Sequence, residues 1–276
     1  MVPIGYRLAP RRAHHAAMAV QQILEYLPAH VQPVEGGQRS SDRPGDGEAA
    51  VPELLFLLFH GVGARPYDML PAMDRLAAEY PRAALVAIPS PDPFDAVPGG
   101  GSGTQWFSVS GVDEQNRPAR VDAAMPGFVK TVRKQQARFG VDWPRTALVG
   151  FSQGAIMALE AVQQEPRLAG RVLAFCGRHA RLPTHVPADT TVHLLHGLDD
   201  RVVPPGAAVA AAQQLVGLGA DVTADVLPGI GHELHPLLLE RAVEQLRGFL
   251  PKRAWREAMG EAPVRNRVAS SRELGR

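Results

Sequence analysis

The chain has 276 residues, 45% of them hydrophobic, which is ample for one large buried core of the kind α/β folds build from 200–250 residues. Its 29 basic and 28 acidic side chains leave a formal charge of +1, so electrostatics give no ground for nucleic acid or an anionic membrane as a partner. A single cysteine, Cys176, excludes an intrachain disulfide and suits a reducing compartment.

Residues 1–35 contain one predicted helix, about 13–27. Behind Arg7, Arg11 and Arg12 the apolar run 16–20 is too short for a signal-peptide core. No run approaches the ~18 apolar residues of a membrane span. The expectation is a soluble, cytoplasmic protein without stable membrane insertion. Residues 36–50, rich in Gly, Ser, Pro and charge, read as a flexible linker, so 1–50 is taken as an N-terminal extension. Residues 51–250 carry the globular pattern, and 251–276, with seven basic and three acidic side chains, read as a polar basic tail.

Within the globular part, short apolar runs alternate with amphipathic stretches. Strands are predicted at 54–59, 83–88, 146–149, 171–175, 191–195 and 221–227. Helices are predicted near 67–80, 121–139, 153–164 and 205–218. A last helix follows from Leu239, Ala242, Val243, Leu246, Phe249 and Leu250 at i, i+3, i+4, i+7 spacing. Alternation of this kind predicts an α/β fold, a mostly parallel sheet with helices on both faces. Functional residues then gather at the carboxyl ends of the strands. Cys176, closing the apolar stretch 172–176, reads as a core thiol.

Gly150-Phe151-Ser152-Gln153-Gly154 is a G-x-S-x-G string between the strand at 146–149 and the helix that follows. That is the setting of a nucleophile elbow, where small residues must flank a tight turn. The competing reading is a βα turn whose serine caps the helix. A serine hydroxyl needs a base to take its proton, and the base needs an acid to orient it. The strand at 191–195 runs into His196-Gly197-Leu198-Asp199-Asp200, and the strand at 221–227 runs into Gly231-His232. The order Ser, Asp, His leaves room for one helix and one strand between members. His232 is the candidate base, with a capping or surface role as its alternative. Asp199 and Asp200 compete as the acid, with an Asx turn as theirs. Because the base works only when neutral, the rate should fall on acidification. His235 makes H-x-x-H with His232, which is not a zincin motif, and neither metal nor cofactor is expected.

Acyl transfer also needs donors for a developing oxyanion. The backbone N–H of Gln153 is one candidate, and the turn His60-Gly61-Val62-Gly63 after the strand at 54–59 offers another at Val62. His60 itself reads as a structural hydrogen-bonding residue.

These pieces resemble the phospholipase/carboxylesterase family of α/β hydrolases, which includes acyl-protein thioesterases and small bacterial esterases. The resemblance rests on L-L-F-H-G-V-G at 57–63, Q-W-F-S at 105–108, G-F-S-Q-G at 150–154, H-G-x-x-D-x-V-V-P at 196–204 and G-H at 231–232. It covers roughly 54–250 and implies the α/β-hydrolase fold, with Ser152, Asp200 and His232 as the triad and Val62 and Gln153 as oxyanion donors. Arg201 stands where the family often has proline. The resemblance also puts the glycine-rich stretch 98–103 in a loop over the site, with Trp106 and Phe107 lining an acyl or leaving-group pocket; core anchoring is the alternative for both aromatics. The implied activity is hydrolysis of small carboxylic esters or thioesters, as a carboxylesterase, lysophospholipase or acyl-thioesterase. Amide or peptide hydrolysis on the same triad is the first alternative and a catalytically silent binding protein the second. A homodimer is left open.

Overall fold

A computed structural model describes residues 6–8, 22–29, 31, 51–96 and 103–260. Its centre is an eight-stranded sheet formed by β1 (Tyr6–Leu8), β2 (Leu24–Tyr26), β3 (Leu55–Phe59), β4 (Ala84–Ile88), β7 (Thr146–Phe151), β8 (Arg171–Phe175), β9 (Thr191–Gly197) and β10 (Asp221–Leu227). The order is β1-β2-β4-β3-β7-β8-β9-β10. From β4 to β10 every neighbour is parallel, and β1 and β2 are added antiparallel at the β4 edge. A small antiparallel pair, β5 (Asp92–Pro93) and β6 (Thr104–Gln105), lies outside this sheet.

The helices divide between its two faces. α2 (Arg117–Phe139), α3 (Gln153–Gln164) and α4 (Gly206–Gly217) bury their apolar sides in one core, and α1 (Leu70–Glu79) and α5 (Pro236–Gly248) bury theirs in another. Successive strand residues point to opposite faces, so the runs supply both cores in turn. In β3, Leu55, Leu57 and Phe59 enter the first and Phe56 and Leu58 the second. In β8, Val172 and Ala174 oppose Leu173 and Phe175 in the same way. This is why the central strands read as unbroken apolar runs rather than alternating ones.

The six strands and five helices expected in the globular part are all present, with ends shifted by a few residues. The N-terminal expectation needs correction. Leu24–Tyr26, the end of the helix predicted at 13–27, is strand β2, and with Tyr6–Leu8 it extends the main sheet from within the stretch read as an extension. Residues 13–21 and the linker at 36–50 lie outside the described residues, as does 98–102 of the glycine-rich stretch. β2 carries Glu25, 1% exposed, which bonds to Arg138 of α2. In the tail, Lys252–Ala258 forms α6. Among the described residues no helix is long and apolar enough to cross a membrane.

Candidate active site

β7 ends in a tight turn that leaves no room for a side chain at Gly150 or Gly154. Ser152 has φ 52° and ψ −116°, outside the regions ordinary L-residues favour. A Cβ on Gly154 would lie 2.1 Å from the Phe59 carbonyl oxygen, and one on Gly150 would lie 2.4 Å from Ala155 Cα. The two glycines therefore let β7, β3 and the start of α3 meet at the serine, whose N–H donates to the Phe175 carbonyl at 2.9 Å. Ser152 occupies the N-cap position of α3, yet its hydroxyl makes no capping bond. It faces His232 instead, with Oγ 2.9 Å from Nε2.

His232 reaches this point from the loop after β10, and its Nδ1 is 2.7 Å from Asp200 Oδ2. Of the two candidate acids, Asp200 is the one aimed at the imidazole. It makes the Asx-type turn as well: Oδ1 accepts the N–H groups of Val202, at 2.8 Å, and Val203, at 2.9 Å. One carboxylate oxygen thus anchors the loop while the other faces the His232 imidazole. Burial by itself would raise the pKa of Asp200, but hydrogen bonds from His232 and from the Val203 and Val202 N–H groups outweigh it and hold the carboxyl below its ordinary range.

His196, at the end of β9, stands behind the acid. Its Nε2 is 2.8 Å from the Val203 carbonyl and 3.1 Å from Asp200 Oδ2, both acceptors, so Nε2 carries the proton. Cys176 is fully buried, as expected, and burial pushes its thiol up to about 11. Its Sγ, Asp200 and His232 bring ligand atoms within 4.8 Å of one another, the one His/Cys/Asp/Glu group among the described residues able to surround a metal. All three are already hydrogen-bonded, the thiol to the Gly231 and Glu233 carbonyls. His235 caps α5, its Nδ1 accepting from Leu237 N at 3.2 Å.

The turn after β3 lies over the elbow. A Cβ on Gly61 would sit 3.3 Å from Ser152 Cβ, so the turn that carries Val62 passes close to Ser152. Gln153 is the first residue of α3, where N–H groups have no intrahelical acceptor. Together the elements bring Ser152, His232, Asp200 and both candidate oxyanion donors to one end of the parallel strands.

The phospholipase/carboxylesterase family model matches residues 48–250. The chain belongs to that family. It is 43% identical over 221 residues to Esterase YpfH of Escherichia coli (strain K12), covering 80% of this chain and 90% of that protein. It is 32% identical over 126 residues to acyl-protein thioesterase 1 of Gibberella zeae, covering 43% of this chain and 54% of that one. Among solved structures it is similar to esterase PE8, with a TM-score of 0.65, 28% identity, and coverage of 73% of this chain and 96% of that one. The fold is that of the α/β hydrolases, and membership of an esterase family makes this protein a hydrolase of esters.

Of the two readings for the aromatics, a pocket wall or a core anchor, the packing observed for Trp106 and Phe107 is that of core residues. Trp106 is 4% and Phe107 5% exposed, and the Trp106 ring meets Phe59 and Phe128 edge-on with centroids 5.4 Å apart in each case. The polar partners of this segment were not foreseen from the sequence. The Gln153 side chain holds it, accepting from Trp106 N and donating to the Phe107 carbonyl, each at 2.8 Å. The glutamine in G-F-S-Q-G was the available signal. A separate concavity of about 330 Å³ beside α2 and α3, lined in part by Asp122, Glu160 and Arg181, shares no residue with the triad.

Proposed function

We propose that the protein hydrolyses small carboxylic esters or thioesters through an acyl-enzyme on Ser152. The observation that carries this reading is the continuous chain from Ser152 Oγ to His232 Nε2, 2.9 Å, and from His232 Nδ1 to Asp200 Oδ2, 2.7 Å. His232 takes the hydroxyl proton as Ser152 Oγ attacks the acyl carbon, then delivers it to the departing alcohol or thiol. Asp200 keeps the proton on Nδ1, so that Nε2 presents a lone pair, and stabilises the imidazolium once it forms. The N–H groups of Val62 and Gln153 receive the oxyanion of the tetrahedral intermediate. Water then repeats the sequence on the acyl-enzyme and releases the acid.

The printed names of the relatives, an esterase and an acyl-protein thioesterase, support oxygen and sulfur esters ahead of amides. The family match at residues 48–250 and a complete triad both speak against a silent binding protein. The test is hydrolysis of chromogenic acyl esters from two to twelve carbons by wild type and Ser152→Ala. Hydrolysis by wild type that disappears in the variant supports the serine mechanism and gives the chain-length range. Equal activity in both proteins would overturn it.

A further inference from the structure

The two candidate oxyanion donors come from separate elements, Val62 from the turn after β3 and Gln153 from the first turn of α3. A usable hole requires both N–H groups to point at one place before the reaction begins. We infer that a buried network of His60, Trp106 and the Gln153 side chain is the positioning device that sets both donors. The inference rests on the reading of Val62 and Gln153 as oxyanion donors.

The hydrogen bonds settle the direction of each group. The backbone N–H of Ser90 donates to His60 Nε2 at 3.1 Å, so that nitrogen is an acceptor and the proton sits on Nδ1. Nδ1–H then donates to the Gly61 carbonyl at 2.8 Å. One residue earlier, the His60 carbonyl accepts the Trp106 indole N–H, also at 2.8 Å. The carbonyls of two consecutive peptide planes are thus tied. In a trans peptide the N–H points opposite to the C=O. Holding the Gly61 carbonyl toward the imidazole therefore turns the Val62 N–H the other way. Among the described residues the Val62 N–H has no protein acceptor, as a donor kept for the substrate requires.

Trp106 joins this turn to the other donor. Its backbone N–H donates to Gln153 Oε1, and Gln153 Nε2 donates to the Phe107 carbonyl, so the amide grips the segment from both sides. The backbone partners leave one orientation for the amide, since an N–H can only give and a carbonyl only receive. The ring of contacts runs from Gln153 through Trp106 to His60 and back to the turn carrying Val62. Exposures of 0% for His60, 2% for Gln153 and 4% for Trp106 keep water from competing for these bonds. Burial lowers the pKa of His60, against smaller opposing effects of the Gly61 carbonyl and Asp68. The imidazole therefore stays neutral with a lone pair free for Ser90.

The test compares wild type with Trp106→Phe, His60→Leu, His60→Asn and Val62→Pro. Each is assayed for ester hydrolysis and for inhibition by an alkyl trifluoromethyl ketone, whose adduct with Ser152 places a negative oxygen in the same hole. Trp106→Phe keeps a ring but removes the indole N–H, and His60→Leu removes the imidazole. Each should lower kcat about 10- to 100-fold with little change in KM, and weaken the ketone by a similar factor. His60→Asn, whose amide N–H can stand near the Nδ1 position, should recover most of the loss. If His60→Leu does not fold, Trp106→Phe and His60→Asn carry the comparison. Folded variants with kcat and ketone affinity within about twofold of wild type would overturn the inference, as would His60→Asn no better than a folded His60→Leu. Val62→Pro removes the donor itself. If it alone loses kcat, the positioning network falls and the oxyanion reading stands. If it keeps wild-type kcat, Val62 is not a donor and the inference falls with that reading.

Discussion

Asp200 shows how much one carboxylate can be asked to do. Oδ1 closes a turn on Val202 and Val203 while Oδ2 faces His232, with His196 behind it. Asp200→Asn separates these tasks. The amide oxygen can still accept the two N–H groups of the turn, but the NH₂ group then faces Nδ1 of His232. An imidazole beside that donor moves its proton to Nε2, where it can no longer take one from Ser152. On the proposed mechanism kcat should fall about 10⁴-fold, with the fold intact by circular dichroism. A folded variant that loses less than about tenfold would remove Asp200 from the orienting role. The residue type was readable from the chain order Ser, Asp, His, whereas spacing left Asp199 and Asp200 level. The family resemblance points to Asp200, and the turn geometry gives the physical reason: it buries Asp200 against His232 and leaves Asp199 exposed.

At the level of elements, the informative mismatch is β2. Leu24, Glu25 and Tyr26 carry no strong strand signal of their own, and nearby apolar residues can be read on a helical period. Their conformation comes from the partner: β4 offers an unpaired edge, and Leu24, Glu25 and Tyr26 pair with Ala87, Val86 and Leu85. Pairing also covers that edge, beside a strand whose five residues are all buried. Deleting residues 1–31 should therefore lower the thermal transition and promote self-association, measured by scanning calorimetry and light scattering. A truncated protein with the association state of the full chain and an unchanged transition would show the strand to be dispensable. The elements of the central sheet were far more legible, since a strand buried on both faces must be apolar throughout, whatever its neighbours are.

For the molecule as a whole, buried histidines set a limit on acid stability. His193 of β9 is fully buried, with Nδ1 2.9 Å from Thr223 Oγ1, and burial, assisted by Arg171, lowers its pKa to about 3. In the unfolded chain an ordinary histidine takes up its proton near pH 6.5. Between these values the unfolded state binds a proton that the native state refuses. The stability contributed by the neutral ring is therefore complete above about pH 6.5 and is lost progressively as pH falls toward about 3. Burial lowers His60 and His196 in the same direction. The unfolding free energy should thus decline on acidification, by up to about 1.4 kcal/mol per pH unit for each such group. Denaturant titrations of His193→Leu between about pH 6 and pH 4 should show a slope shallower by up to that amount. An identical slope would mean that His193 is protonated in the native protein or remains neutral in the unfolded one.

Strand and helix order and the parallel sheet could be read along the chain, as could the three residues proposed as the triad once the family resemblance chose Asp200. Those signals are local, consisting of apolar runs, helical periods and short motifs placed directly after strands. The glycines of the elbow belong with them, because a tight turn demands small residues whatever surrounds it. The edge strands β1 and β2, the packing of Trp106 in the core, and the bonds from Gln153 and His60 to Trp106 belong to another class. Each depends on which distant segment supplies the partner for a backbone edge, an indole N–H or an amide. Such partners lie 46 or 47 residues away along the chain, as His60 and Gln153 do from Trp106, and only packing brings them within hydrogen-bond reach.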